Sequence, residues 1–400
     1  MSPRGAPSPA CRRGRSKETT VSSGSGAETI PLAVPDLRDE DRRAVLEVLE
    51  SDRLAMGPWT ERFERALADA VGVRHAVATS SGTGALHIIL SALGIADGDE
   101  VITTPFSFIA SANCILYVRA TPVFVDIERD GLCIDPRLVE AAITPRTKAI
   151  LAVDVFGRPA AWEALERIAA DHGLTLIEDA AEALGSTLGG RRCGSFGTAA
   201  AFGFYPNKQI TTGEGGAIVT DDAVVGERCR SLCNQGRDAS SSRVEHVRIG
   251  FNYRIDELSA ALGAIQIGRL EEIVARREEI AAWYQDELGD CDRIALPQAA
   301  PGSSPCWFVY VVRLHPEVPP GDRDRILAGL RARGIGCRDY FAPIHLQPSY
   351  RELLGHAPGA FPVCESVAGR TIALPFHHRL SRAQVETVGE ALRAELDGLR

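Results

Sequence analysis

Between residues 75 and 179, short apolar runs alternate with segments in which apolar residues recur three and four positions apart. HAVAT (75–79), EVITTP (100–105), TPVFVDI (121–127), KAILAVDVFG (148–157) and LTLIED (174–179) read as strands, and GALHIILSALG, DPRLVEAAI and AAWEALERIAADHG as helices between them. A helix between strands returns the chain to the same edge of the sheet. The repeat predicts right-handed crossovers and a mostly parallel sheet covered on both faces.

Near residue 196 the rhythm changes: AAAFGFY and GGAIVTDD are strands separated by a glycine-rich turn, which brings the expected sheet to seven strands. A polar amphipathic helix is expected at 39–51. A longer one at 256–288, with a stripe through Leu258, Leu262, Ile265 and Leu270, suits a bridge to a second unit. Past residue 290, WFVYVVRL, DRDRILAGLRARG, GCRDYF and SRAQVETVGEALRAELDGL read as strand, helix, strand and helix, a small α+β unit. The expected fold class is α/β, a mostly parallel seven-stranded sheet sandwiched by helices, with a small α+β C-terminal domain. Residues 1–28, rich in Ser, Gly, Pro and Arg, carry almost nothing to bury and read as a disordered tail. Residues 29–270 read as the large domain, and 271–400 as the bridging helix and small domain.

Composition narrows the function. With 45% hydrophobic and 24% charged residues the chain is an ordinary soluble type, and a net charge of −9 with pI near 5.6 argues against nucleic acid as the main partner. The ten cysteines include no C-x-x-C pair, so no zinc or iron–sulfur site is expected. Arg12 and Arg13 are followed by no apolar stretch, and no run is long enough to cross a bilayer, so a cytoplasmic location is expected.

Three segments offer chemistry. In ATSSGTGALH, small residues lead straight from a strand into a helix, where exposed N–H groups and the helix dipole attract anions; Gly82, Thr83 and Gly84 are the candidate phosphate ligands. A plain cap accounts for the same residues. The Gly82-Thr-Gly84 start of a dinucleotide motif is incomplete, because His87 stands where its third glycine belongs. Asp179 closes an apolar strand, where a carboxylate can pair with a ring nitrogen or cap the next segment. Lys208 follows FGFY in apolar surroundings unusual for a lysine, as a buried amine able to form a carbon–nitrogen double bond with an aldehyde would. Phe108 in TPFSFIASAN suits the face of a planar ring, or equally core packing.

Together SSGTGALH, TTPFSFIASAN, IEDAAEALG, FYPNKQITTGEGG, SLCNQGR, GFNYRIDELSAALG and FAPIHLQPSYRE closely resemble the nucleotide-sugar aminotransferases of the DegT group, from Ile30 to the end of the chain. The resemblance implies the fold type I architecture of pyridoxal-phosphate enzymes and pyridoxal 5'-phosphate as cofactor. Lys208 would bond the cofactor aldehyde, Asp179 would pair with the pyridine nitrogen, Phe108 would stack on the ring, and Gly82, Thr83 and Gly84 would cradle the phosphate. Asn234 would reach the phosphate of a neighbouring subunit, which implies a homodimer with shared sites. Three positions depart from the common pattern: Gly203 replaces a phosphate-binding serine, with Asn207 as its stand-in; Glu182 replaces Gln or His facing the ring hydroxyl and the substrate; Asp154 replaces a His.

The implied reaction moves an amino group from L-glutamate to a keto sugar, nucleotide-linked, in amino-sugar or surface-polysaccharide biosynthesis. Tyr253, Arg254 and His345 are further candidates for substrate contact. A cyclitol aminotransferase, a pyridoxal-phosphate sugar dehydratase and a non-catalytic sensor are the alternatives; dehydratases of this type carry histidine in place of Lys208.

Overall fold

The computed structural model describes residues 29–238, 243–319 and 321–399, so the expected tail at 1–28 lies outside the described residues. The alternating pattern folds into β1 (His75–Thr79), β2 (Glu100–Thr103), β3 (Thr121–Phe124), β4 (Thr147–Val153) and β5 (Thr175–Asp179). A hairpin of β6 (Thr187–Leu188) and β7 (Arg191–Arg192) precedes β8 (Ala199–Gly203) and β9 (Gly216–Thr220). The main sheet has seven strands in the order β1-β9-β8-β5-β4-β2-β3. Only β9 runs against its neighbours, because the turn after β8 holds no helix to carry the chain back. All residues of β9 and nearly all of β4 are buried, as expected where helices cover both faces.

The smaller unit is an antiparallel sheet of β10 (Ile294–Ala295), β12 (Tyr310–Leu314) and β13 (Thr371–Leu374), while β11 (Ser303–Ser304) joins the β6–β7 hairpin. A second hydrophobic cluster there includes Tyr284, Tyr310, Leu330, Leu374 and Leu392, together with Ile30 from the start of the described chain. The helix Leu270–Leu288 gives Leu270 and Ile273 to the main core and Ile280, Tyr284 and Leu288 to the second.

Four local expectations change. The helix expected across 256–288 is two, Glu257–Ile267 and Leu270–Leu288, broken where Gly268 has poor helix propensity and Arg269 swings to Asp41 at 3.0 Å. Its buried face consists of small residues, since a Cβ on Gly263 would lie 2.8 Å from the Phe63 ring; Leu258, Leu262 and Ile265 are only half-buried. GCRDYF makes no strand, only an isolated bridge from Arg338 to Ala373, and the place beside β12 goes to the wholly buried TIAL run of β13. The helix Pro58–Val71 has no counterpart in the sequence reading. Its N-cap is Gly57, which has no side chain to cap with; the buried Glu257 carboxylate instead accepts from Gly57 N (2.9 Å), Trp59 N (2.9 Å) and Thr60 N (3.0 Å).

Candidate active site

Because β1, β5 and β8 run parallel, the segments that leave their carboxyl ends meet at one edge of the sheet. From β1 the chain enters the helix Gly82–Ala92, capped by Ser81, whose Oγ accepts from Gly84 N at 3.0 Å. The first-turn N–H groups of Gly82 and Thr83 have no acceptor within the helix. This turn lies directly on the strand ends: a Cβ on Gly216 would sit 2.5 Å from Gly82 N, and a Cβ on Gly82 would sit 3.1 Å from Gly203 Cα. Gly203 itself has room for a side chain, its nearest neighbours being 3.7 Å from an added Cβ.

Beside this turn three charged side chains come together. Asp179 at the end of β5 is buried; its Oδ2 accepts from Ser111 Oγ at 2.7 Å and its Oδ1 from Ala181 N at 3.2 Å. Burial pushes its carboxyl above the ordinary range, opposed by the Ser111 hydroxyl, the Ala181 N–H and the Lys208 ammonium. Glu182 is also buried and raised by burial, offset by Lys208 and by the Phe156 N–H that reaches its Oε2 at 2.8 Å. Lys208 Nζ lies 3.7 Å from Glu182 Oε1, an ion pair rather than a hydrogen bond, with 14% of its side chain exposed. One amine thus faces two buried carboxyls, and the resulting site still favours a further cation.

The remaining candidates divide. Phe108, in the turn after β2, is 60% exposed, so it is free to meet a ring and is not core. Asn207 leaves a buried Oδ1 without a partner. Asn234 instead accepts from Arg254 Nη1 at 2.9 Å and lines a cavity of about 370 Å³ that also includes Arg237, Met56 and Glu64. Tyr253 lies over the Gly82 turn, its ring 3.3 Å from a Cβ built on Gly84. His345 is fully buried, 3.0 Å from Glu365 and flanked by His356 and Phe361, a packing role. Asp154 turns away to the Glu178 side of β5, where Ala160 N (2.8 Å) and Trp162 Nε1 (2.9 Å) both donate to its Oδ1.

Sequence reading missed the residues that hold these groups. Ser111 orients Asp179, and Gln209 donates to the Glu182 carbonyl at 2.6 Å. Phe308 places its ring face 4.1 Å from Lys208 Nζ, and Arg277 donates to the carbonyls of Trp307 (3.0 Å), Phe308 (3.1 Å) and Lys208 (3.5 Å). One sequence signal was available: only three of the chain's 44 basic residues are lysines, and the other one among the described residues, Lys148, is exposed. A chain that otherwise uses arginine keeps a lysine where an amine is needed.

The arrangement suits pyridoxal phosphate. A buried acid with incomplete compensation matches a protonated ring nitrogen, and the glycine-walled helix start leaves N–H groups for a phosphate.

Comparison with known proteins agrees. Residues 35–393 match the sequence model of the DegT/DnrJ/EryC1/StrS aminotransferase family. The chain is 39% identical over 365 residues to the GDP-perosamine synthase of Caulobacter vibrioides, covering 91% of this chain and 97% of that protein. It is 40% identical over 368 residues to the dTDP-3-amino-3,4,6-trideoxy-alpha-D-glucose transaminase of Streptomyces venezuelae, covering 91% and 94%. The PLP-form of Streptococcus pneumoniae Spr1654 superposes with a TM-score of 0.89 at 26% identity, over 93% of this chain and 100% of that one.

Proposed function

The chain belongs to the DegT/DnrJ/EryC1/StrS aminotransferase family and is a pyridoxal-phosphate-dependent aminotransferase, and from that premise we propose that it moves the amino group of L-glutamate to a nucleotide-linked keto sugar. The named activities of the two relatives, both on nucleotide-linked sugars, support the acceptor class. The observation that carries the reading is a nearly buried Lys208 amine facing the Asp179 and Glu182 carboxyls at the strand ends, beneath a glycine-walled helix start.

Bound pyridoxal phosphate supplies an aldehyde that bonds amines reversibly and a protonated ring that draws electrons from the substrate carbon. The chain's residues do the rest. Lys208 would hold the cofactor through its amine and, with that amine free, would carry the proton to and from the substrate carbon. Asp179, held by Ser111 and Ala181, would keep the ring nitrogen protonated. Gly82, Thr83 and Gly84 would receive the phosphate, Phe108 would cover the ring, Glu182 would face the ring hydroxyl, and Asn207 would stand in for the missing phosphate-binding serine through its amide N–H.

In the same reading Asn234, which lines a cavity that does not include Lys208, serves the site of a second copy, so the protein is a homodimer with shared sites. It works in the cytoplasm, and the chain divides near residue 270 into a cofactor-binding and a smaller domain. Incubating the protein with glutamate and a panel of nucleotide-linked keto sugars and cyclitol ketones, with products followed by mass, tests the acceptor; amination of cyclitols alone refutes it. Mixing inactive Lys208→Ala and Asn234→Ala chains, with subunit exchange demonstrated, should restore about a quarter of native activity if sites are shared. No recovery refutes the shared site.

A further inference from the structure

Lys208 stands between two unlike surfaces. On one side is the Glu182 carboxylate at 3.7 Å; on the other is the face of Phe308, 4.1 Å from Nζ, delivered by the C-terminal half of the chain. Phe308 is buried, and the backbone that carries it is fixed from three directions. Cys306 N donates to Ser186 Oγ at 2.8 Å, and Gln209 Nε2 approaches Cys306 Sγ at 2.7 Å while donating to the Glu182 carbonyl. Arg277, a buried guanidinium whose hydrogen-bond partners are all carbonyls, joins the Phe308, Trp307 and Lys208 backbones through one planar group.

A full positive charge suits a seat with a carboxylate on one side and the negative face of an aromatic ring on the other. A nitrogen bonded to an aldehyde carbon has less need of either. We propose that Phe308 and Glu182 form a seat for the ε-ammonium of Lys208 whenever its nitrogen is unbonded, with Arg277 fixing the seat, so that Phe308 is a positioning residue for the reacting amine. The proposal rests on Lys208 being the amine that bonds the cofactor. The seat stabilises the released lysine near the position from which it returns, and it ties that return to the packing of the C-terminal unit on the main sheet.

The scarcity of lysine makes a direct test practical. Full-length protein reconstituted with pyridoxamine phosphate, which leaves Lys208 unbonded, is treated with acetic anhydride across a pH series, and acetylation of Lys208 is read by peptide mass against the exposed Lys148. Phe308→Leu keeps apolar bulk but removes the ring face. Near neutrality it should raise the Lys208 to Lys148 labelling ratio about three- to thirtyfold, the range that loss of a partly desolvated cation–π contact implies. The increase should fade as the medium becomes alkaline. Phe308→Tyr should stay within about twofold of native, because the ring face remains, and Glu182→Gln should raise the ratio more than Phe308→Leu does.

An unchanged ratio in Phe308→Leu overturns the proposal. So does an increase that persists at alkaline pH, which reports opened access, or a Tyr variant that behaves like Leu. The premise is checked separately by borohydride reduction of the protein loaded with pyridoxal phosphate: a mark on Lys148 instead of Lys208 sinks the reading of the site, whereas a mark on Lys208 with an unmoved ratio sinks only the seat.

Discussion

Two neighbouring carboxyls on β5 show how one strand supports two kinds of buried acid. Successive side chains of a strand point to opposite faces, so Asp179 faces Lys208 and Glu178 faces the other side. Glu178 accepts from Gly194 N (2.5 Å) and Phe196 N (2.9 Å) and meets Asp154, whose Oδ2 has no other partner. Asp154, Glu178 and Cys193 bring their ligating atoms within 4.8 Å of one another. Among the described residues no cation is paired with them, and burial raises both acids, Asp154 to about 6 and Glu178 well above the ordinary carboxylate range, which favours a proton shared by the two carboxyls. Asp179 is buried as deeply but has Lys208 nearby, and an exposed aromatic, Phe108, follows β2. The sealed acids take hydrogen bonds from backbone N–H groups and the Trp162 indole; on the proposed reading the facing acid is completed by a ligand. What separates structure from chemistry here is the supply of a counter-charge.

Substitutions on the two faces should therefore fail in different ways. The largest effect belongs to the Lys208 face. Lys208→Ala should abolish turnover and the visible absorbance of the loaded protein, and Asp179→Asn should lower the rate by several powers of ten while the fold survives. A near-native rate in either variant, measured as release of 2-oxoglutarate, removes that residue from the chemistry.

Glu178→Ala should act on stability instead. It strands the Gly194 and Phe196 N–H groups and leaves Asp154 buried without its partner, a loss on the order of 3–5 kcal/mol. Denaturant melts should show that loss, with kcat of the folded fraction within about threefold of native. A stable but inactive variant would reverse the assignment of the two faces.

The smallest effect is on pH dependence. An acid whose pKa is raised on folding holds a proton that the unfolded chain releases, so its contribution to stability falls as pH rises from the ordinary carboxylate range through its folded value. For the Asp154–Glu178 pair this decline starts near pH 4 and runs past about 6. Asp154→Asn puts an amide where the shared proton lay and removes one charge. It should flatten the decline and leave the protein as stable as native, or on the order of 1–3 kcal/mol more so, in mildly alkaline buffer. Thermal melts across pH for both proteins check this, and parallel curves would deny the shared proton.

Much of the main sheet was legible in sequence because its signals are local. Alternating apolar runs gave all seven strands of a mostly parallel sheet, and the runs around Ser81, Asp179 and Lys208 marked the three strand ends that converge. Signals that depend on distant partners were not legible. The helix Pro58–Val71 owes its cap to Glu257, about two hundred positions away, and the Glu257–Ile267 helix buries small residues because Phe63 lies against Gly263. GCRDYF lost its place as a strand to a run with a more completely buried face.

By itself the sequence determined the strands of the main sheet, the family, and the candidate amine and acid of the proposed chemistry, because periodicity and motif chemistry act over a few neighbouring residues. The tertiary structure alone decided what surrounds that amine. Phe308, Arg277 and Ser111 are ordinary residues in sequence, and they gain their roles from a sheet that gathers distant segments at one edge, where burial strengthens every charge that is left with a partner.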